Sequence, residues 1–588
     1  MKIRVADYII KFVEERLGVN HIFLLTGGGN MHLTDAVLKN KAIFPVCNHH
    51  EQACAMGAVG YVKQTGKHGV VMPTTGCGGT NTITGLLDAW QDSLPCFFIS
   101  GQANINQTCY ASTAPLRKFG VQEANIVEVV APLTKFAEMI DDPKDIRFLL
   151  EKAYHLSISG RPGPVWLDVP LDVQGEYVEE DTLQGYIPEE VLPPLPVDFS
   201  FLHEATRPII LAGNGVRLSD SVDLFSKVID KLQVPVVSTY LGTDLLGSDS
   251  PYYIGRVGVK GDRAGNFALQ NADLILALGT SLSVPVTGYN YDHFGREAKI
   301  VVVDIDPHEH DKGTVTADQF IKADLKEFLG LLLEETSMGC SEWVSTCERW
   351  ATTWEVNPSS TSEEVVDLYY FVKTLSRLLP EKSSVVGDAG SAYYVPCQRL
   401  PLKKGQRLIV PGAQAEMGFT IPATIGVSFG SPESTVVGIT GDGSFQFNVQ
   451  ELQTIKHYGL PIKLFVWNNR GYLSIRKTQE RFFDGDYIGT SPESGISFPS
   501  IEKVSQAYDI PFVKIKNTGE CEQGIKDCLE MEGPVVCEVM CDEEQEVYPT
   551  ISAMKKEDGT IIGRPLEDMA PLLPREEFYN NMIIEPIS

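Results

Sequence analysis

Short apolar runs alternate with helix-like stretches along most of the chain, and this alternation restricts the fold more than any other feature. The first part of the chain contains HIFLL (21–25), GVVMPTT (69–75), PCFFIS (95–100) and GPVWLDVP (163–170). Each run is short and ends in glycine, threonine or proline, a pattern typical of buried parallel strands that are joined by helices. We therefore predict an α/β fold.

The alternation occurs three times, so we predict three doubly wound parallel-sheet domains. A chain of 588 residues is too long for a single hydrophobic core. We expect domains at 1–180, 198–345 and 365–550, and a C-terminal arm at 551–588. Residues 187–198 are rich in proline and acidic side chains and are expected to form an extended linker. The first and third units have similar patterns.

The net charge of −28 argues against nucleic acid and anionic membrane surfaces as partners. It does not exclude a phosphate ligand, because backbone amides bind phosphate without net positive charge.

No uncharged apolar run approaches about 18 residues, so no membrane span is expected. The N-terminus is an amphipathic helix rather than a signal peptide. None of the twelve cysteines lies in a Cys-x-x-Cys pair, which favours reduced thiols in a cytoplasmic protein.

Two turn-forming clusters, Gly-Asp-Gly at 441–443 and Asn-Asn at 468–469, each follow a predicted strand. The residues between them predict a helix that begins near Phe447 or Asn448 and ends at Gly459. Because the carboxyl ends of parallel strands meet at one edge of a sheet, both clusters are expected at the edge where ligands bind.

Together the two clusters supply the groups that a metal–diphosphate site needs. A glycine turn offers backbone N–H groups to phosphate. Asp442 and Asn469 offer oxygen atoms to Mg²⁺, a hard cation that commonly keeps phosphate oxygens as further ligands. Either cluster alone is usually only a turn, but the pair, separated by one helix, is much more specific. We therefore predict a Mg²⁺–diphosphate site.

Asn469 follows Asp442 by 27 residues, and this spacing resembles the diphosphate fingerprint of thiamine-diphosphate enzymes. The resemblance implies pyrimidine-binding, middle and diphosphate-binding domains. It also implies that Asp442, the Asn469 side chain and the Gly471 carbonyl group bind Mg²⁺. Further residues expected to contact the cofactor in this half of the site are Gly441, Gly443, Ser444, Tyr472, Gly390, Ser391 and Ala392.

The segment PVCNHHEQACAMGAVGYVKQTG (45–66) resembles the His-Glu-Gln…Gly-Tyr block of acetolactate-synthase-like enzymes. By composition alone, Glu51 is an acid at a helix start, where the helix dipole favours it. The resemblance implies instead that Glu51 is the cofactor-activating glutamate. A half-buried carboxyl group next to the pyrimidine ring shifts it toward the imino tautomer. His50 is either a group that handles substrate protons or a structural histidine.

Further motifs agree with this resemblance. The TGG motif that ends at Gly28 resembles the loop near the reacting carbon, and the TGCGGTN motif from Thr75 to Asn81 resembles a cofactor-contacting loop. The FGVQE motif implies that Gln122 orients the substrate, although a loop amide is the simpler interpretation. Met417 resembles the bulky residue under the cofactor, whereas packing alone would make it a core residue.

Three departures from acetolactate synthase proper affect the expected function. Thr478 occupies the position where we align a pocket-forming tryptophan, so we expect a wide acceptor pocket. The motif at 390–395 replaces Gln-His-Gln-Met-Trp, and GTSLSVPVTGYN (279–290) replaces the stretch that binds flavin in other members. The AGNGV loop (212–216) is weak support for a nucleotide site. FAD is therefore less favoured than a middle domain without a ligand.

The sequence thus predicts a thiamine-diphosphate- and Mg²⁺-dependent carboligase or decarboxylase of a 2-oxo acid, with pyruvate as the expected donor. A keto-sugar or another bulky carbonyl compound is the expected acceptor. Simple decarboxylation and a catalytically silent binding protein are the alternatives. The resemblance implies a homodimer or homotetramer in which Glu51 and Asp442 of neighbouring subunits share a site. The acceptor's identity and any regulatory subunit stay open.

Overall fold

A computed structural model describes residues 1–188, 197–355, 364–555 and 561–587. Three sheets of six parallel strands form the centres of three α/β units, and the predicted fold class is confirmed. Most of the predicted linker at 187–198 lies outside the described residues. In the described ranges, no helix combines the length and the apolar composition needed to cross a membrane.

The first sheet has the strand order 2-1-3-4-6-5 when its strands are numbered along the chain. In spatial order the strands are Phe44–Cys47, His21–Leu24, Gly69–Met72, Cys96–Gln102, Val165–Pro170 and Phe136–Met139. The helices of this unit are Val5–Phe12, Met31–Lys39, Glu51–Thr65, Cys77–Asn81, Ile83–Gln91, Ile126–Val130, Ile146–Ile158 and Leu171–Gly175. A short antiparallel pair, Lys2–Arg4 with Tyr177–Glu179, lies beside them.

The third sheet has the same order, 2-1-3-4-6-5, which explains the similar patterns of the two units. Its strands are Arg407–Ile409, Ser383–Val386, Thr435–Gly441, Lys463–Asn468, Val535–Met540 and Phe512–Ile515. The helices of this unit are Leu368–Leu378, Ser391–Arg399, Thr420–Gly430, Leu452–Tyr458, Leu473–Phe482, Ile501–Ala507 and Thr518–Glu530.

The middle sheet has the order 3-2-1-4-5-6, an arrangement typical of nucleotide-binding α/β folds. Its strands are Tyr253–Arg256, Val236–Ser238, Pro208–Ala212, Leu274–Leu278, Lys299–Asp304 and Gln319–Lys322. Its helices are Ser200–Glu204, Gly215–Leu218, Val222–Leu232, Arg263–Gln270, Val284–Thr287, Leu325–Leu332 and Ser341–Thr353.

The last part of the chain contains the paired strands Ala553–Lys555 and Ile561–Gly563 and the helix Arg575–Asn581. Met569 and Phe578 belong to the core of this middle unit.

The first and third units pack through two helices that approach each other closely. A Cβ atom at Gly426, in helix Thr420–Gly430, would lie 1.8 Å from the carbonyl oxygen of Gly57, in helix Glu51–Thr65. A Cβ atom at Gly60 would also lie only 2.5 Å from the backbone of the facing helix. Glycine is therefore needed on both helices, because any side chain would separate the two backbones.

A buried ionic network joins all three units. The Lys63 ammonium group lies 2.7 Å from an Asp92 carboxylate oxygen and donates a hydrogen bond to the Val410 carbonyl oxygen at 2.7 Å. Arg407 binds the carboxylate of Asp244, from the middle unit, at 2.7 Å and donates to the Lys63 carbonyl oxygen at 2.9 Å. This network fixes the beginning of the segment that leads to Met417.

The helix expected to begin near Phe447 or Asn448 starts there as a 3₁₀ turn, Val449–Glu451, with Asn448 at its N-cap, and it continues as the α-helix Leu452–Tyr458. Asn448 has the non-helical φ of −134° that an N-cap residue adopts, and its carbonyl oxygen accepts the first bond of the turn, from the Glu451 N–H group at 3.0 Å. Its side-chain amide donates to the Gly418 carbonyl oxygen at 2.8 Å. The predicted end is confirmed, since Gly459 adopts a left-handed φ of 62°.

We expect Gly426→Ala to lower the free energy of unfolding by more than about 2 kcal/mol, because the added methyl group overpacks the contact with the Gly57 backbone. Thermal and urea denaturation measure this change. Gly330→Ala is the matched control, since Gly330 lies in an exposed part of helix Leu325–Leu332 and its new Cβ would meet nothing within 4 Å. A Gly426→Ala protein as stable as the control variant would contradict the packing described here.

Candidate functional site

The two predicted metal ligands lie at the ends of adjacent strands. Strands Thr435–Gly441 and Lys463–Asn468 pair in parallel, with Gly441 opposite Trp467. Asp442 and Asn469 directly follow these strands, so both residues emerge at the same edge of the sheet. This is the edge at which doubly wound folds bind ligands.

The Asp442 carboxylate and the Asn469 amide are both buried, and their oxygen atoms suit a hard cation. Asp442 accepts hydrogen bonds from the backbone N–H groups of Gly443, at 2.8 Å, and Gly471, at 3.0 Å. Burial nevertheless raises the pKa of Asp442 to about 7. The Asn469 side-chain oxygen has no hydrogen-bond partner among the described residues. An unpaired buried oxygen beside a destabilised carboxylate fits a site for Mg²⁺.

The loop after Asn469 is held rigidly. Gly471 has a φ of 146°, and a Cβ atom there would lie 2.0 Å from the carbonyl oxygen of Thr490, so only glycine fits. Arg476 donates hydrogen bonds to the carbonyl oxygens of Asn469, at 3.0 Å, and Glu543, at 2.9 Å. The sequence analysis did not identify Arg476, because no motif marks an arginine that binds backbone atoms.

The glycine turn at 441–443 has one packed side and one open side. A Cβ atom at Gly443 would lie 2.1 Å from the Tyr472 ring, whereas one at Gly441 would meet nothing within 4 Å. Tyr472 packs edge-on against Phe498, with ring centroids 5.6 Å apart. The open side at Gly441 leaves the backbone accessible to a phosphate group.

Met417 lies beside this turn. The N–H group of Gly418, the next residue, contacts the Ser444 hydroxyl oxygen at 3.4 Å. Asn448 connects the Gly418 carbonyl oxygen, at 2.8 Å, with the Gln52 side-chain oxygen, at 3.4 Å. The structure therefore brings the Met417 segment together with both the glycine turn and the beginning of the helix that carries Glu51.

A third strand end contributes Asp388, which the sequence analysis missed. Asp388 accepts hydrogen bonds from the Thr440 hydroxyl group, at 2.8 Å, and the Ala389 N–H group, at 2.6 Å. Burial raises its pKa to about 6. Gly390 follows with a φ of 57° and starts the helix Ser391–Arg399, in which Ser391 and Ala392 are buried. An acid two residues after the apolar strand Ser383–Val386 is the signal that could have identified Asp388.

In the first unit, Glu51 is buried at the start of its helix. The Asn81 side-chain amide donates a hydrogen bond to a Glu51 carboxylate oxygen at 2.9 Å, so these two predicted residues are in contact. His50 caps the helix, because its Nδ1 atom accepts a hydrogen bond from the Gln52 N–H group at 3.1 Å. This contact supports the structural alternative for His50, and its catalytic role stays a prediction.

Glu451 fixes the segment before Glu51 onto the third unit. Its buried carboxylate accepts hydrogen bonds from the Asn48 side chain at 3.0 Å, the His49 N–H group at 2.9 Å and the Thr454 hydroxyl group at 2.6 Å. Sequence reasoning treated Glu451 only as a helical residue, because its partners lie about 400 positions away. It positions Glu51 indirectly.

The remaining predicted residues line the same side of the first unit. Gly28 is exposed, and a Cβ atom there would meet nothing within 4 Å. A Cβ atom on its neighbour Gly29 would lie 1.7 Å from the Thr75 hydroxyl oxygen, which is buried and has no hydrogen-bond partner in the described chain. Gln122 is exposed. Its backbone carbonyl oxygen would lie 2.0 Å from a Cβ atom at Gly76. These loops therefore adjoin one another.

Comparison with known proteins identifies the class of enzyme. Residues 3–124, 199–332 and 388–539 match the N-terminal TPP-binding, central and C-terminal TPP-binding domains of thiamine pyrophosphate enzymes. The chain therefore belongs to the thiamine pyrophosphate enzyme family, whose members form or break C–C bonds with this cofactor.

Several relatives resemble the chain along most of its length. The large subunit of acetolactate synthase from Lactococcus lactis is 32% identical over 580 residues, covering 95% of this chain and 96% of that protein. The chloroplastic acetolactate synthase of Arabidopsis thaliana is 30% identical over 569 residues, with coverages of 93% and 82%. The Haemophilus influenzae large subunit is 29% identical over 590 residues, with coverages of 96% and 99%. The resemblance to acetolactate-synthase-like enzymes is thus confirmed.

We expect Glu451→Ala to reduce the free energy of unfolding by about 2–3 kcal/mol, because it leaves the buried Asn48 amide and His49 N–H group without an acceptor. Denaturant titration measures the loss. Glu502→Ala, at an exposed position in helix Ile501–Ala507, serves as the control and should change stability by less than about 0.5 kcal/mol. Equal stability of the two variants would show that Glu451 does not anchor this segment.

Proposed function

We propose that this protein is a thiamine-diphosphate- and Mg²⁺-dependent carboligase or decarboxylase of a 2-oxo acid, with pyruvate as the donor. The observation that carries this proposal is the pair of buried oxygen ligands, Asp442 and Asn469, at adjacent strand ends. The Asn469 side-chain oxygen lacks a hydrogen-bond partner within the described residues. The names of the relatives support the same reaction class.

In this proposal the third unit holds the diphosphate end of the cofactor. Asp442, the Asn469 side chain and the Gly471 carbonyl group would bind Mg²⁺. The open backbone at Gly441 and the N–H groups at the start of helix Ser391–Arg399 would bind phosphate oxygens. When bound, thiamine diphosphate supplies the electron sink for decarboxylation of the 2-oxo acid.

The first unit holds the catalytic carboxyl group. Glu51 is buried and directed by the Asn81 amide, so the position of one carboxylate oxygen is fixed and the other oxygen would contact the pyrimidine ring. The loops that carry Gly28 and Gln122 lie next to it and would contact the substrate. Met417 would separate the two halves as a steric wedge. The role of each of these residues is part of the proposal.

The acceptor side of the site is formed by helix Leu473–Phe482. Thr478 is exposed on this helix, and its hydroxyl group donates to the Ser474 carbonyl oxygen at 2.9 Å. A small side chain at this position leaves room where a tryptophan would fill the pocket. We therefore propose a keto-sugar or another bulky carbonyl compound as the acceptor.

The proposed active form is a homodimer or a larger homo-oligomer. Exposed apolar side chains flank both halves of the site: Phe119 and Val121 near Gln122, and Phe482, Phe483 and Ile488 beyond the metal loop. Apolar surfaces of this kind are usually covered by a partner. A second copy that covers them would place the first unit of one chain against the third unit of the other.

Flavin is not part of the proposal. A cavity of about 240 Å³ lies at the switch point of the middle sheet. However, Cβ atoms at Gly213 and Gly215 would lie 2.2 and 2.6 Å from Gly279 backbone atoms. The glycines of the AGNGV loop are therefore explained by the packing of two loops. Asp304 also lines this cavity, and the Arg161 guanidinium group there already pairs with Glu309, which disfavours phosphate groups.

Product analysis separates the proposal from its alternatives. Purified protein is incubated with thiamine diphosphate, Mg²⁺ and pyruvate, first alone and then with carbonyl acceptors, and the products are identified by mass spectrometry. Carboligation products support the proposal. Formation of acetaldehyde alone would assign simple decarboxylation. Absence of cofactor binding by calorimetry would assign a silent homologue.

We expect Glu51→Gln to lower pyruvate turnover at least about 100-fold, because the amide cannot transfer the proton that the carboxyl group supplies. Calorimetry should show that thiamine diphosphate still binds, and exchange of its thiazolium proton should slow in parallel with turnover. Glu128→Gln, an exposed acid in the first turn of another helix, is the control. Wild-type exchange in the Glu51→Gln protein would remove the catalytic assignment.

We expect Thr478→Trp to lower kcat/KM for bulky acceptors at least about 10-fold relative to small ones, because the indole ring fills the acceptor pocket. Initial rates with a small and a large aldehyde measure the ratio. Thr352→Trp is the control, because Thr352 is also exposed and bonds the carbonyl oxygen four residues earlier. An unchanged ratio would place the acceptor elsewhere.

A further inference from the structure

Lys260 occupies the cleft between the middle and third units. It follows strand Tyr253–Arg256, and its N–H group donates a hydrogen bond to the Tyr240 hydroxyl oxygen at 3.1 Å. Its half-buried ammonium group lies 4.7 Å from the centre of the Tyr394 ring. Tyr394 belongs to helix Ser391–Arg399, which begins at the proposed diphosphate site. The lysine is therefore held in a defined position near that site.

The Lys260 ammonium group lacks an ion-pair partner within the described ranges of the chain. Across the residues that the structure describes, no carboxylate forms an ion pair with its ammonium group and no acceptor binds it. Burial and the neighbouring charge of Arg481 lower the pKa of Lys260 to about 8. The Glu546 carboxylate opposes this effect, but its ion pair is with Lys477, at 3.8 Å. A half-buried cation that lacks a partner is unfavourable and calls for an anion.

Arg481 is the second unpaired cation of this cleft. Its exposed guanidinium group lies on the last turn of helix Leu473–Phe482, and this group makes no ion pair or hydrogen bond within the described chain. Other cations nearby are satisfied: Arg470 pairs with Glu543 at 3.2 Å, and Lys477 with Glu480 at 3.2 Å. The chain has 77 acidic and only 49 basic residues, so two cations that make no ion pair within the described residues are unusual here, and Glu546 is the one carboxylate that acts on Lys260.

The position of this site relates it to the acceptor. Helix Leu473–Phe482 begins directly after the metal loop, and a Cβ atom at Gly390 would lie 3.0 Å from the Ser474 hydroxyl oxygen, so the start of the helix faces the diphosphate end. Arg481 lies about 12 Å further along the helix at a rise of 1.5 Å per residue. Thr478, the proposed wall of the acceptor pocket, lies between them. An anion at Arg481 is thus at the outer end of that pocket.

We propose that Lys260 and Arg481 form a subsite for a phosphate group carried by the carbonyl acceptor. This assignment rests on the proposed function and narrows its acceptor to phosphate-bearing compounds. Lysine supplies a compact positive charge, and arginine supplies a planar fork that binds two phosphate oxygens at once. Two cations match the charge of a phosphate dianion better than that of a single carboxylate. The Tyr394 ring holds the lysine in place.

The direct test is ligand binding to the holoenzyme, saturated with thiamine diphosphate and Mg²⁺. Calorimetric titrations with glycerol 3-phosphate and with glycerol compare two probes that differ only in the phosphate group. We expect the phosphate ester to bind and glycerol not to bind. Lys260→Met and Arg481→Gln should each raise the Kd at least about 10-fold. Lys516→Met, at an exposed lysine of the third unit, should leave it unchanged. Failure of glycerol 3-phosphate to bind, or an unaltered Kd in both variants, would overturn the subsite.

Kinetic measurements then distinguish the source of the phosphate. Carboligation of pyruvate with glyceraldehyde 3-phosphate and with glyceraldehyde gives a preference ratio, which should fall toward unity in Lys260→Met. Two results together would overturn the acceptor assignment and assign the site to free phosphate. Inorganic phosphate would bind as tightly as glycerol 3-phosphate, and Lys260→Met would leave the preference ratio unchanged. Pyruvate decarboxylation without an acceptor should persist in both variants. Its absence from the wild-type enzyme would instead refute the proposed function.

Discussion

The close approach of helices Glu51–Thr65 and Thr420–Gly430 is the constraint on which the rest of the structure depends. Glycines on both helices let the backbones meet, with only 1.8 Å between a Cβ atom at Gly426 and the Gly57 carbonyl oxygen. Glu51 begins one helix and Met417 precedes the other. The same contact thus joins the first and third units within one chain, so each chain would present its Glu51 half and its Asp442 half in a fixed arrangement to a neighbouring chain. If these two helices packed less closely, the first and third units would not hold a fixed position relative to each other.

Around this contact, the site contains polar groups that the protein itself does not satisfy. The Asn469 and Thr75 side-chain oxygens are buried without partners among the described residues, and burial raises the pKa of Asp442 to about 7. Unsatisfied buried polar groups are costly, and they are tolerated mainly where a ligand completes them. The half-buried Lys260 ammonium group, which has no ion-pair partner among the described residues, is a further group of this kind, with positive charge. The energetic cost of these groups is what a cofactor, a cation and an anionic acceptor would offset.

The fold class and the position of Asp442 and Asn469 at adjacent strand ends could be predicted because their signals are local. Buried parallel strands give apolar runs, and Asp442 and Asn469 each stand directly after one. The contact of the Asn448 side chain with the Gly418 carbonyl oxygen could not be predicted, because the two residues are distant in sequence. Glu451 and Arg476 were missed for the same reason. Their partners are backbone and side-chain groups that only the tertiary structure brings near, as with Asn48 and Glu451, 403 positions apart.

The central claim is that one coenzyme is held by Glu51 of one chain and Asp442 of another. Coexpression of Glu51→Gln and Asp442→Asn chains with two different tags allows the hybrid dimer to be purified. Each homodimer should be inactive, whereas the hybrid keeps one intact site and should show about half of the wild-type turnover per dimer. A hybrid as inactive as its parents would contradict a site shared between chains.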